Sequence, residues 1–197
     1  MNFNNNVFSK ILINDGGTYM GKEVVEWVKT VVLSVVIALV ITTFVKPTIV
    51  KQDSMNPTLN EFDFLIINRL LYKQSEPQNG DIVVFKSNLP TSYGQSKLLI
   101  KRIIAIPGDT ILISDGRVYL NEVPLNEEYI IKPYSIGKDI EGIPVKIPSG
   151  KVFVMGDNRP NSRDSRDHDI FLVDIKDIIG NVVVRLYPIN DIRLFNS

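Results

Sequence analysis

Apolar and polar positions follow two different periods along this chain, and the change falls near Pro47. Before it, Thr30 to Val45 forms a run of 16 residues without a charge, TVVLSVVIALVITTFV. Counted from Val24, the apolar-rich stretch has 22 residues. As a helix it would be roughly 33 Å long, enough for a hydrocarbon core about 30 Å thick. Glu26 and Lys29 lie near one end, where long side chains reach the interface, and Trp27 suits the same layer. A buried core helix is the alternative. A cleaved leader fits less well, because the apolar run starts late and Lys46-Pro47-Thr48, not a small-x-small site, follows it. Pro47 stops the helix. The expectation is a permanent transmembrane anchor over 21–46, preceded by an asparagine-rich, flexible leader over 1–20. Lys10, Lys22 and Lys29 precede the anchor while Lys46, Lys51 and Arg69 follow it, so charge does not orient it.

After Pro47 the pattern becomes period two, in short apolar runs bounded by turns, which is the signature of strands. The runs are Phe64–Arg69, Asp81–Phe85, Leu98–Ile106, Thr110–Ile113, Arg117–Leu120, Val145–Ile147, Val152–Met155 and Asn181–Tyr187. Asp115-Gly116 between two of them predicts a hairpin. Asp174–Ile179 has room for one or two helical turns, and no long amphipathic helix follows the anchor. The expected fold is therefore mainly β: one transmembrane helix, then a barrel-like antiparallel domain over 47–197. Residues 121–150, rich in proline and glycine, read as an irregular insertion on that domain.

Composition narrows the chemistry. Lysine plus arginine equals aspartate plus glutamate at 22 each, so no net field points to nucleic acid. The absence of cysteine removes thiol nucleophiles, thiolate metal sites and disulfides. One histidine, His168, rules out a multi-histidine metal site. Asp164, Asp167, His168 and Asp169 match no metal-binding spacing, and neither metal nor cofactor is expected. Acyl-transfer chemistry must then consider lysine as its base.

Lys101 is the lysine best embedded in an apolar strand, LLIKRIIAI. Either it guards a solvated edge, or it turns inward and loses proton affinity, since burial penalises the charged form. Alternation sends Lys101 and Arg102 to opposite sides. Ser54, in Gln52-Asp53-Ser54-Met55-Asn56-Pro57, reads by itself as a turn serine before a proline. Beside a neutral amine it becomes a nucleophile. A third cluster, Gly156 to Arg166, is dense in hydrogen-bonding groups; it is either a solvated loop or a brace for a site.

At these residues the chain resembles the type I signal peptidases, membrane-bound serine/lysine proteases. Four segments match in order: Ser54-Met55-x-Pro57-Thr58-Leu59, Gly80-Asp81-Ile82-Val83-Val84-Phe85, Lys101-Arg102 with Pro107-Gly108-Asp109, and Gly156-Asp157-Asn158-Arg159 with Ser162, Asp164, Ser165 and Arg166. The resemblance implies Ser54 as nucleophile, Lys101 as general base, and Met55 in the floor of the site. It implies a hydrogen bond from Ser162 to the base, an Arg102–Asp157 pair, and Asp164 with Arg166 holding the loop. The oxyanion would meet the Ser54 N–H and, at the position two residues earlier, Gln52. An extended substrate would lie in a groove walled by Ile82, Val83 and Val84 on one side and Leu98, Leu99 and Ile100 on the other, with cleavage after small residues. The implied partners are exported preproteins and the lipid bilayer, at the cell membrane with the catalytic domain outside the cytoplasm. Two departures stand out: Ala105 replaces a common glycine, and Asp167–Val173 is longer than the usual segment. These predict altered loop packing.

Two other classes compete. A membrane-tethered β module that binds exported proteins without cutting them would not need both Ser54 and Lys101. A soluble self-cleaving regulator would not need the anchor. A sortase-like transpeptidase is excluded by the missing cysteine.

Overall fold

The computed structural model describes residues 16–69, 76–90, 96–132 and 134–195; most of the leader expected over 1–20 lies outside them. The chain divides into two compact units, 1–43 and 44–197. The first contributes a helix, α1 (Gly16–Phe44). Its apolar side chains are exposed, Val24, Trp27, Val31, Leu33, Ile37 and Leu39 among them. Among the described residues no helix is long and apolar enough to cross a membrane, so the span expected over 21–46 is not met there. Lys22, Glu23, Glu26 and Lys29 all fall within the first half of the stretch whose side chains are described, and they lower its mean hydropathy.

The second unit is antiparallel β throughout its named pairings. Its strands are β1 (Val45–Ile49), β2 (Phe64–Asn68), β3 (Ile82–Pro90), β4 (Ser96–Ala105), β5 (Thr110–Ser114), β6 (Arg117–Leu120), β7 (Val123–Pro124), β8 (Val145–Lys146), β9 (Lys151–Met155), β10 (Val173–Asp174), β11 (Ile178–Tyr187) and β12 (Arg193–Leu194). All eight runs read from the sequence form strands. The first strand, β1, instead straddles the boundary expected at residue 46. Asp174–Ile179 yields one 3-10 turn, Ile175–Asp177. At the β5–β6 hairpin Asp115 and Gly116 take φ of 52° and 76°, the paired left-handed conformation of a two-residue turn.

The barrel expectation is corrected. One sheet has the order β1-β2-β11-β3-β4-β9-β10, with β12 on β11, and a second has the order β7-β6-β5-β8. Both are open. Closure of the larger sheet would require β1 to pair with β10, which is only Val173–Asp174 and offers too short a ladder. Apolar burial joins the sheets instead: Ile104, Ala105, Phe153 and Met155 of β4 and β9 pack with Ile111, Ile113, Val118 and Val145 of β5, β6 and β8. The residues 121–150 supply β7 and β8, so the supposed insertion builds part of the second sheet.

The two faces of the larger sheet position the site. Val84 and Ile82 pack with Met55, Leu59, Leu65 and Ile67 on one face. Val83, Leu99 and Ile103 pack with Val152 and Val154 on the other. Strand β4 thus lies between two cores, and a polar side chain on it has little access to water.

Candidate active site

Ser54 sits in a 3-10 turn, Asp53–Met55, between β1 and β2. The turn is held from below, since Met55 and Leu59 are buried in the core that Val84 and Ile82 also form. It is closed from outside by Val50 N–H donating to Asp63 O at 3.0 Å and Phe62 N–H donating to Val50 O at 2.9 Å. Buried Asp63 accepts from Arg185 Nη1 at 3.0 Å, and the same guanidinium nitrogen donates to Thr58 O at 3.0 Å. This brace drew no notice in the sequence, because Asp63 and Arg185 are 122 residues apart.

Lys101 lies in β4 opposite Val83 of β3. It is 1% exposed. Its Nζ is 2.5 Å from Ser54 Oγ and 3.1 Å from Ile100 O. In the ammonium form it donates to both oxygens; in the neutral form its lone pair accepts the Ser54 O–H. Among the described residues no carboxylate lies within ion-pair distance of Lys101. Burial pulls its pKa down from 10.5 to about 8, with Asp164 opposing and Lys97 assisting. Of the two readings open in the sequence, inward and dry is the one realised.

The loop after β9 closes over this pair. Asn158 N–H donates to Ser54 O at 3.1 Å, and Asn158 Nδ2 donates to Asp53 O at 3.1 Å. Gly156 permits that approach: a Cβ there would lie 2.4 Å from Ser54 O and 2.3 Å from Ser162 Oγ. Asp164 is wholly buried and accepts from Gly156 N–H at 3.0 Å and from Arg166 Nε and Nη2 at 2.8 Å each. Burial alone would raise the Asp164 pKa, yet the Arg166 contacts hold it below the usual value. Arg166 also donates to Arg159 O at 2.8 Å and Ile136 O at 3.1 Å.

The expected Arg102–Asp157 pair forms, two-pronged, at 2.9 and 2.6 Å. The Arg102 guanidinium stacks 4.1 Å from the Tyr129 ring centroid. Arg159 is buried, donates to Ser135 Oγ at 2.6 Å and pairs with Glu127. Lys138 Nζ donates to Ser162 O at 2.6 Å and Asp167 Oδ2 at 2.7 Å. Tyr129, Glu127, Ser135 and Lys138 all come from 121–150, the stretch with the least regular pattern, and none was singled out from sequence.

Two expectations need correction. The Ser162 hydroxyl does not bond Lys101, whose amine points at Ser54 and Ile100; Ser162 is buried beside Asp164. Ile82, Val83 and Val84 are buried and do not line the cleft at Ser54. At Val83 and Val84 the main chain of β3 is already flanked by β4 and β11. The reacting pair opens instead onto a cleft of about 480 Å³ lined by Gln52, Ser54, Leu89, Leu99, Lys101 and Asn161 with further charged residues. Of the strand residues expected to wall it, Leu99 does so; Leu98 is 48% exposed and Ile100 packs against the Met55 core. A larger cleft, about 580 Å³, is lined by Arg102 and Tyr129 and does not include Ser54 or Lys101. Chemistry, not size, picks the smaller one.

Strand β4 pairs with β9 only through Arg102, Ile103 and Ala105. From Leu98 to Lys101 the side of β4 away from β3 has no strand partner among the described residues. A main-chain edge therefore runs up to the amine.

The family described as Signal peptidase, peptidase S26, matches residues 24–187. Signal peptidase I of Leptolyngbya laminosa is 41% identical over 169 residues, covering 84% of this chain and 80% of the relative. Signal peptidase I S of Bacillus subtilis (strain 168) is 36% identical over 184 residues, covering 89% of this chain and 95% of the relative. A crystal structure of a signal peptidase I from Enterococcus faecalis V583 aligns with a TM-score of 0.44 at 30% identity, covering 54% of this chain and 97% of that one.

Proposed function

Because the chain belongs to the signal peptidase family, peptidase S26, and is a serine endopeptidase of the signal peptidase I type, we propose that Ser54 and Lys101 cut preproteins at the end of their signal peptides. The observation that carries this is the 2.5 Å approach of a buried, carboxylate-free amine to the serine hydroxyl. Neutral Lys101 accepts the Ser54 proton as Oγ adds to the scissile carbonyl carbon. The tetrahedral oxyanion is met by the Ser54 N–H and the Gln52 side chain on the cleft rim. As the C–N bond breaks, Lys101 returns its proton to the leaving amine, leaving an ester on Ser54. Water then enters and gives a proton to Lys101 as its oxygen adds to the ester carbonyl. As the intermediate collapses to the acid product, Lys101 hands that proton to Ser54 Oγ. Met55 supports the turn from beneath, and Asp164, Arg166 and the Arg102–Asp157 pair fix the surrounding backbone.

The substrate adds as an extended strand along the free edge of β4 beside Leu98, Leu99 and Ile100. Cleavage falls after small residues. The enzyme is held at the cell membrane by α1, with the catalytic unit outside the cytoplasm. Support for the anchor comes from the charge-free run Thr30–Val45 and from the exposure of Val24, Trp27, Val31, Leu33, Ile37 and Leu39 along α1. Detergent-solubilised protein mixed with a labelled preprotein tests the reading. Cleavage is expected, with Ser54→Ala lowering it at least about a thousandfold while the variant still melts like the parent; normal processing by that variant would end the proposal.

A further inference from the structure

The cleft beside Ser54 is unevenly charged. Besides Lys101 its lining includes Lys97 and Arg163, and Asp53 is the one acidic residue there. Arg163 is partly neutralised by an ion pair with Asp169. Lys97 has no ion-pair partner among the described residues, and its main chain is fixed by Ser87 Oγ donating to Lys97 O at 2.8 Å. Its charge is felt at the dyad, where it stands second among the charged groups acting on Lys101.

Strand geometry sets where that charge acts. Residues 97, 99 and 101 alternate onto one side of β4, and Leu99 and Lys101 line the cleft with Lys97. At about 3.4 Å per residue, Lys97 lies roughly 14 Å along the strand from Lys101. A substrate strand added to the same edge has the same rise, so the residue beside Lys97 is about four removed from the scissile bond.

We propose that Lys97, with Arg163, makes this cleft select substrates that carry an acidic side chain about four residues from the scissile bond, on the segment lying along β4. This rests on the reading of Ser54 and Lys101 given above. A carboxylate there meets one uncompensated ammonium and one half-compensated guanidinium, whereas a lysine meets like charge.

The test uses the full-length protein in detergent and a set of peptides spanning a signal-peptide cleavage site. Each carries one Glu, Gln or Lys at positions three to six on either side of the cut. Expected for the parent enzyme is one window, about four residues out, in which Glu exceeds Gln by about fivefold in kcat/KM and Lys falls below Gln. The preference shrinks as salt is raised. Lys97→Gln brings the Glu-to-Gln ratio close to one, and Lys97→Glu with Arg163→Glu inverts it in favour of Lys. The ratio is the readout, so a variant with reduced overall rate still decides the matter. Equal rates for Glu and Gln at every position, or a preference untouched by the double reversal, overturn the proposal. If the parent cuts none of the peptides and no preprotein, the reading beneath it fails instead.

Discussion

Lys101 and Arg166 are both 1% exposed, and they sit in neighbouring parts of one unit. Their surroundings differ. Arg166 grips Asp164 with Nε and Nη2, while Nη2 and Nη1 also donate to the carbonyl oxygens of Arg159 and Ile136. Lys101 meets one hydroxyl and one carbonyl. The guanidinium sits inside a network of partners, while burial brings the amine down to about 8, where it can release its proton. Burial is the main cause of the low Lys101 pKa, and Asp164, the charge that opposes it most, is paired with Arg166 instead.

The largest expected effect comes from making the two cations alike. Lys101→Arg places a group that does not deprotonate beside Ser54, and processing should fall at least about a thousandfold; retained turnover in a preprotein assay would contradict the lysine's role. Emptying the compensated side acts on stability. Asp164→Ala leaves Arg166 and the Gly156 N–H without their partner in the core, and urea unfolding should show a loss of about 3–5 kcal/mol. Removing the uncompensated cation should do the reverse. Lys101's pKa is near 10.5 unfolded and about 8 folded. The cost of burying its charge is thus fully present below pH 8 and is relieved between 8 and 10.5. Lys101→Met should stabilise the protein at pH 7 by on the order of 3 kcal/mol, with the advantage fading above pH 8 in melts taken across that range. The smallest effect is on the pH profile. Since the neutral amine is the active form, kcat/KM should rise about tenfold per unit up to about pH 8 and then level. Lys97→Gln should move that limb to higher pH, because the Lys97 charge holds it down.

Much of this was legible before the fold was known. The eight strands were readable because each buries one face or both within a few residues, as in ILISDGRVYL, where the turn residues and the period agree. Ser54, Lys101 and the Arg102–Asp157 pair were readable from their motifs. What escaped depends on distant partners. Strand β1 was hidden because Val45–Ile49 continues the apolar run and contains Pro47, tolerated at a sheet edge. Strands β7, β10 and β12 have two residues each and exist only through their neighbours. Tyr129, Glu127 and Lys138 lie in an aperiodic segment whose role appears only once it meets the 156–166 loop. The barrel failed for a related reason: alternation identifies strands but says nothing of which edges find a mate.

One consequence of the β4 alternation concerns insertions and deletions. Consecutive residues of that strand serve opposite sides, the amine toward Ser54 and the guanidinium toward Asp157 and Tyr129. Losing a single residue between Leu98 and Ile100 would slide the strand by one place, putting Arg102, a permanently charged group, against the hydroxyl and Ile103 where the guanidinium meets Asp157 and the ring. Point changes in this strand can be graded, but a frame of one cannot, so homologous chains that still cut should differ here by substitution and keep its length.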